Sequence, residues 1–163
     1  MKRIKLFEEF IGENFSSDKK LNSFLEELSS RGSLVRNPFN SREWIYKDAA
    51  SLEFHRFDKG DKDEITFADI AVFDKGKGHG KTILQDITDS ADELGYAITL
   101  DAKPFGNDPR SLKLPELVKF YSQSGFEVDL EEYGGEFSSA EKMIQYAKKY
   151  DEAVPMYRKP RKR

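Results

Sequence analysis

The stretch ITFADIAVFDKGKGHGKTIL, residues Ile65–Leu84, runs from an apolar strand through a glycine-rich loop into an amphipathic helix. Gly76, Gly78 and Gly80 carry no Cβ, so the loop backbone can adopt positive φ angles and direct several N–H groups toward one anion. The helix that follows adds its own unpaired N–H groups and the positive end of its dipole. The stretch therefore predicts a phosphate-binding loop between a strand and a helix.

The spacing of the glycines differs from that of two common nucleotide-binding loops. It has neither the GxxxxGK[ST] pattern of a P-loop nor the GxGxxG pattern. Residues 75–80, KGKGHG, instead resemble the pyrophosphate-binding signature R/Q-x-x-G-x-G/A of the GNAT superfamily, the acyl-CoA-dependent N-acyltransferases. Lys75 stands where the family has Arg or Gln.

Two later segments resemble the same family. Residues 117–126, LVKFYSQSGF, are similar to its helix-to-strand motif L-x-x-F-Y-x-x-x-G-F, and residues 154–159, VPMYRK, are similar to its last strand. The three motifs occur in the family's order and together cover roughly residues 50–160. The first fifty residues match none of its motifs.

Helical and strand-like patterns alternate along the chain, without an internal repeat. The predicted helices are a short one at residues 6–15, one capped by Ser17 or Asp18 that ends at Gly32, one after the glycine loop that ends at Gly95, one at 114–124, and one that begins at the capping box 138–141. The predicted strands are residues 44–46, 51–57, 64–73, 96–101, a strand from Phe126, and 154–158, with a loop at 33–41. A polar turn at 58–63 favours antiparallel pairing of the two strands that it joins.

The resemblance implies an α/β (α+β) fold of the GNAT type, with a mixed, mostly antiparallel central sheet flanked by helices. We expect a single acyltransferase domain over residues 1–163. Residues 1–50 would hold N-terminal helices and acceptor-side elements, residues 51–160 the acyl-CoA-binding core, and residues 158–163 a basic tail.

Composition excludes several other classes of protein. The chain has 163 residues and no cysteine, which excludes disulfides, thiolate metal ligands and a cysteine nucleophile. No apolar run approaches the ~20 residues that cross a bilayer, and the start MKRIKLFEEF has acidic residues where a secretory signal is apolar. The formal net charge of -3 argues against nucleic-acid binding over the whole surface. We expect a cytoplasmic protein with no membrane partner, and a basic tail that is solvated and disordered.

The resemblance implies that acetyl-CoA is the acyl donor. Main-chain groups of Ile70, Ala71 and Val72 would then bind the pantetheine arm and the thioester carbonyl, although the side chains of Ile70 and Val72 also suit the core. The phosphates would bind the loop residues Lys75, Gly76, Lys77, Gly78, His79, Gly80 and Lys81, whose lysines could equally serve only to solubilise a turn. Phe120 and Asn107 complete the predicted cofactor site; Asn107 substitutes for a family Asn whose position holds Leu114. With two histidines in the chain, no metal site is predicted.

The resemblance also implies a role for Tyr121, whose phenol would protonate the leaving thiolate as general acid. A tyrosine on an apolar helical stripe is also typical of a core position. Asp69 is the leading candidate for the general base, because an acid within an apolar strand is desolvated or paired, and desolvation raises a carboxyl pKa. A structural role for Asp69 stays open, and Glu53, His55 and Glu64 are further candidates for the base.

The predicted function is transfer of an acetyl group from acetyl-CoA to a primary amine by direct attack on the thioester. The sequence leaves the acceptor unidentified, either a small molecule or a protein, and it leaves a homodimer open. One alternative is a non-catalytic acyl-CoA-binding or protein-interaction module with the same fold. A nucleic-acid-associated regulator that uses the basic tail is a second alternative, which the acidic net charge disfavours.

Overall fold

A computed structural model describes residues 19–40, 42–55, 63–73, 77–104, 111–132 and 134–162, except for the side chains of His55 and Asp69. The helices in this part of the chain are α1 (Lys19–Arg31), α2 (His79–Leu94), α3 (Leu114–Ser122) and α4 (Ala140–Tyr150). The strands are β1 (Leu34–Arg36), β2 (Glu43–Tyr46), β3 (Ala50–His55), β4 (Glu64–Val72), β5 (Ala97–Ala102), β6 (Glu127–Val128) and β7 (Val154–Arg158).

The strands form one sheet in the order β1-β2-β3-β4-β5-β7-β6. Within the described residues, all neighbouring strands are antiparallel except β4 and β5, which are parallel and are connected through α2. Parallel neighbours need such a crossover, because a tight hairpin can join only antiparallel strands. The mixed, mostly antiparallel sheet flanked by helices that the sequence predicts is therefore confirmed.

Helix α2 packs on one face of this sheet, because its apolar residues recur at helical spacing. Those residues, Ile83, Leu84, Ile87 and Ala91, are buried, and Gly95 ends the helix in the left-handed conformation with φ 71°. Helix α1 buries its own apolar stripe of Leu21, Phe24, Leu25 and Leu28. The ring of Phe24 contacts that of Phe54 on β3 with 5.1 Å between centroids. Both helices end before the glycines that the sequence predicts, Gly32 and Gly95.

Strand β4 contains a β-bulge. Between the paired residues Asp69 and Phe67, Ala68 has no partner on β3. The extra residue puts Phe67 and Ile70 on the same face of the sheet, although a spacing of three would otherwise put them on opposite faces.

The bulge lies where β4 and β5 separate. The last residue pair between these parallel strands joins Phe67 to Leu100. Residues 68–72 of β4 and residues 101–102 of β5 extend beyond that pair, with β4 still paired to β3. The sheet consequently opens at the carboxyl ends of its two parallel strands, which is where open sheets with a parallel core bind ligands.

Two polar contacts hold α2 against the sheet. Midway along the helix, the Asp86 carboxylate accepts hydrogen bonds from the Tyr46 hydroxyl at 2.8 Å and from the Lys47 ammonium at 2.7 Å. Near the end of the helix, Asp92 accepts two hydrogen bonds, of 2.6 and 2.9 Å, from the Arg158 guanidinium. These contacts fix the direction in which the N-terminus of α2 points.

The basic end of the chain is held at two points, so the predicted solvated, disordered tail is wrong at Arg158 and at the Arg161 backbone, whereas residues 159–162 are exposed as predicted. Arg158 is 3% exposed and also donates to the Ser124 carbonyl at 2.8 Å, and the Arg161 N–H donates to Asp92 at 2.9 Å. Burial raises the pKa of Asp92, but the hydrogen bonds from Arg158 and Arg161 outweigh it and hold the pKa below its ordinary value. The ion pair joins residues 66 positions apart, so no local sequence pattern reveals it.

Two further predictions need correction. Residues 34–36, within the predicted loop 33–41, form β1 at the edge of the sheet, and three residues are too few to show a strand periodicity. Helix α4 is capped by Ser139, whose hydroxyl accepts the Lys142 N–H at 3.2 Å, whereas the predicted capping box would begin at Ser138. The predicted helix at 6–15 and the cap at Ser17 or Asp18 lie outside the described residues.

No helix within the described ranges is long and apolar enough to span a bilayer.

Candidate functional site

A cavity of about 390 Å³ occupies the gap between β4 and β5. This volume lies in the range of small-molecule sites, roughly 300–1,000 Å³. Four parts of the chain line it: the end of β4, the first turn of α2, the end of β5 with the residues after it, and α3. The lining residues are Ala68, Ile70, Ala71, Val72, Gly78, His79, Gly80, Lys81, Asp101, Lys103, Pro104, Ser111, Leu112, Leu117, Phe120 and Tyr121.

The edge of β4 that faces this gap presents backbone groups. The Phe73 N–H donates to the Ala49 carbonyl at 2.9 Å. Because hydrogen-bonded pairs alternate along an antiparallel ladder, the N–H and C=O groups of Val72 and Ile70 point away from β3. They face the side where β5 no longer pairs with β4, so an extended ligand with amide groups can form hydrogen bonds with this edge as another strand would.

The N-terminus of α2 opens into the same cavity. Gly78 caps the helix with φ 77° and ψ 7°, a left-handed conformation that costs a glycine little, and no side chain caps the helix. The first N–H groups of a helix have no partner within it, and together with the helix dipole they attract an anion. A Cβ on Gly80 would lie 3.6 Å from both Phe120 Cζ and Val72 Cγ2, so this first turn closely approaches the cavity wall.

Basic side chains surround the helix N-terminus. His79 and Lys81 line the cavity from the first turn of α2, and Lys103 lines it from the end of β5. The Lys103 ammonium lies 4.0 Å from the Asp151 carboxylate, at the limit of an ion pair. Lys77 is exposed and does not line the cavity. The side of the cavity next to α2 therefore suits a phosphorylated ligand.

Tyr121 lines the cavity from α3 and is nevertheless 6% exposed. Its ring packs edge-on against Phe120 at 5.4 Å and Phe126 at 5.7 Å between centroids. The residue thus belongs both to the apolar core and to the cavity wall, the two roles that the sequence left open.

The structure thus brings most of the sequence-predicted residues to one cavity. Ile70, Ala71, Val72, Gly78, His79, Gly80, Lys81, Phe120 and Tyr121 all line it. Lys75, Gly76 and Asn107 lie outside the described residues, and so do the side chains of Asp69 and His55. Of the further base candidates, neither Glu53 nor Glu64 lines the cavity. Glu64 lies at the opposite end of β4, where it accepts a long hydrogen bond of 3.4 Å from Thr99.

Sequence reasoning missed the cavity residue Asp101 together with Lys103. Asp101 is an exposed residue near the end of β5 and lines the cavity. One signal was present in the sequence, since Asp101 ends the predicted strand 96–101. The carboxyl ends of neighbouring parallel strands meet at one edge of a sheet, so this residue had to lie near the glycine loop once β4 and β5 were known to be parallel.

No family model and no curated protein sequence matches the chain. Solved structures that resemble it include the anti-CRISPR protein AcrVA5, with 21% identity over 68% of this chain and 90% of that chain and a TM-score of 0.43. N-acetylglutamate synthase from Neisseria gonorrhoeae also resembles it. In complex with coenzyme A and N-acetyl-glutamate, that enzyme has 13% identity over 89% of this chain and 34% of the synthase, with a TM-score of 0.47. Its complex with coenzyme A and L-arginine has 17% identity over 75% of this chain and 25% of the synthase, with a TM-score of 0.46.

The chain has a GNAT-like fold. This statement concerns architecture: the strand order, the one parallel pair among the described strands and the crossover through α2 agree with the fold that the three sequence motifs imply. Because all three TM-scores are below 0.5, the structural likenesses add no evidence about the ligand or the reaction of this chain.

Proposed function

We propose that the protein is an N-acyltransferase that moves an acetyl group from acetyl-CoA to a primary amine by direct attack on the thioester. One observation carries this proposal: the N-terminus of α2, the open backbone edge of β4 and the phenol-bearing residue Tyr121 all border the same cavity of about 390 Å³. A phosphate cradle, a site for an amide-containing chain and a proton donor are three of the features that the reaction requires.

The donor would lie along β4 with its pyrophosphate at the start of α2. Backbone N–H groups after Gly78 suit the phosphates, and Lys81 adds positive charge beside them. The pantetheine arm contains two amides, which match the N–H and C=O groups that Ile70 and Val72 direct into the gap. In this pose the thioester lies near the bulge at Ala68.

The reaction itself needs no metal and no redox step. The neutral amine nitrogen attacks the thioester carbon, a C–N bond forms, and a tetrahedral oxyanion develops that a backbone N–H can stabilise. Before the attack, the ammonium group of the acceptor gives one proton through a base to solvent. After it, the C–S bond breaks, the thiolate takes a proton from the Tyr121 hydroxyl, and the cationic nitrogen of the intermediate gives its surplus proton to a base, from which the Tyr121 phenolate is reprotonated. The products are the N-acetyl amine and CoA with a free thiol, with one proton released to solvent.

A second function with the same cavity is a non-catalytic module that binds acyl-CoA. It differs from an enzyme in one respect that the structure makes testable: binding would not depend on the Tyr121 hydroxyl, and no thiol would be released. The enzyme is favoured because Tyr121, the proposed acid, is one of the residues that line the cavity.

Thiol release from acetyl-CoA tests the proposal when a panel of amines is offered to the wild type and to Tyr121→Phe. We expect Tyr121→Phe to lower kcat by about 10²-fold or more, the scale of general acid catalysis, with the Kd of acetyl-CoA nearly unchanged. Tyr146→Phe, a change on the exposed face of α4 away from the cavity, is the matched control. Equal kcat values for wild type and Tyr121→Phe would remove the acid role, and binding without thiol release would favour the module.

A further inference from the structure

Residues that belong to both faces of the sheet line the cavity. Val72 belongs to the face that α2 covers, because its side chain approaches Gly80 in the first turn of that helix. The neighbouring residue Ala71 lies on the opposite face, since side chains alternate along a strand, and it is exposed and also lines the cavity. Asp101 follows the buried residue Leu100 of β5 and lies on that opposite face as well.

The two faces differ in the charge that they bring to the cavity. On the covered face, His79 and Lys81 accompany the helix N-terminus. On the opposite face, Asp101 is the one carboxylate among the described lining residues. Lys103, just past the end of β5, is a further lining cation, and its ammonium lies 4.0 Å from the Asp151 carboxylate. Asp101 is exposed, and no hydrogen bond or ion pair joins its side chain to another residue in the described part of the chain. A carboxylate in this position is available to a ligand that approaches from solvent.

We infer that Asp101 binds the ammonium group of the acceptor, and that the acceptor reaches the gap from the face of the sheet opposite α2. The inference rests on the proposed function, and it names the acceptor class as a primary amine that is protonated in water. The anionic donor and the cationic acceptor then enter from opposite faces, each attracted by the charge that it meets first. An exposed carboxylate forms a charge-assisted hydrogen bond with an ammonium group but gains less from an uncharged hydroxyl.

Asp101→Asn removes the charge while keeping the shape of the side chain, and Asp101→Glu keeps the charge on a longer side chain. Glu116→Gln is the matched control, because it removes one carboxylate from the exposed surface of α3 outside the cavity. The probes are butylamine and its uncharged counterpart butanol. Their Kd values are measured by NMR titration of each variant saturated with CoA, and the Kd of CoA is measured separately to show that the donor site is intact.

We expect the Kd of butylamine to rise about tenfold in Asp101→Asn, to be partly restored in Asp101→Glu and to be unchanged in Glu116→Gln. Butanol should bind every variant equally and more weakly than the amine binds the wild type. The inference is overturned if butylamine has the same Kd for the wild type and Asp101→Asn, or if the wild type binds no butylamine.

This experiment separates the inference from the function on which it rests. If CoA binds and butylamine does not distinguish the wild type from Asp101→Asn, the Asp101 assignment fails and the donor site stands. If CoA does not bind the wild type, the proposed function fails. The butylamine titration is then repeated without CoA, where a tenfold loss in Asp101→Asn would still support an amine site and an unchanged Kd would overturn it.

Discussion

Alanine at Gly78 should destabilise the protein and alanine at Gly80 should not, although the two glycines are only two positions apart. At Gly78 a Cβ would meet no described atom within 4 Å, but φ is 77°. A residue with a Cβ is strained by about 1–2 kcal/mol in that left-handed conformation. Gly78→Ala should therefore destabilise the protein through its backbone alone.

Gly80 presents the reverse case. It lies within the first turn of α2 without a positive φ, and an added Cβ would make ordinary contacts of 3.6 Å with Phe120 and Val72. Alanine is favoured over glycine in a helix by up to about 1 kcal/mol. Gly80→Ala should therefore be neutral or stabilising, while its methyl group narrows the cavity where the donor is proposed to bind.

Urea and thermal unfolding of the two variants and the wild type measure this difference directly. At about 2–4 °C per kcal/mol for a chain of this size, Gly78→Ala should lower Tm by about 2–8 °C, and Gly80→Ala should leave Tm unchanged or raise it. Equal destabilisation by both variants, or an unchanged Tm for Gly78→Ala, would refute the assignment of the left-handed turn to Gly78 and with it the geometry of the phosphate cradle.

Two further predictions concern charged groups. Asp92→Asn leaves the buried guanidinium of Arg158 without its carboxylate and should lower the free energy of unfolding by about 3–5 kcal/mol at pH 7, measured in urea. Because the folded-state pKa of Asp92 is lowered, this difference from the wild type should be present above about pH 4, the pKa of an unfolded aspartate, and should shrink as the pH falls through the folded-state pKa. A difference that grows on acidification would contradict the pairing. Lys81→Ala should raise the Kd of CoA several-fold in calorimetry, and this loss of CoA affinity should be smaller at high salt. The Kd of phosphate-free pantetheine should be unchanged. Equal losses of affinity for both ligands would place Lys81 away from the phosphates.

The helices and the longer strands could be predicted from the sequence because their signals are local. The stripe that Ile83, Leu84, Ile87 and Ala91 form on α2, and Gly95 after it, suffice to place that helix and its end. The glycine spacing likewise predicts the turn at Gly78 that begins α2. In each case the residues that determine the element lie within it or next to it.

The features that the sequence did not reveal depend on residues far apart in the chain. Strand β1 exists because β2 offers it a partner, and the Arg158–Asp92 ion pair joins the last strand to α2. The position of Asp101 follows from the parallel pairing of β4 with β5 and from the bulge at Ala68, which decides where the two strands part. Tertiary pairing of this kind leaves no periodic signal in the sequence.

The central claim is that the gap between β4 and β5 binds acetyl-CoA at the N-terminus of α2. The most direct test is the unfolding temperature of the wild type and of Gly80→Trp, each with and without acetyl-CoA, because the indole would occupy the space beside Phe120 and Val72. A ligand at a hundredfold excess over its Kd adds about 2.7 kcal/mol of stability, which corresponds to about 5–11 °C for a chain of this size. The account predicts such a shift for the wild type and none for Gly80→Trp. No shift for the wild type at millimolar acetyl-CoA, or the same shift in both proteins, would contradict it.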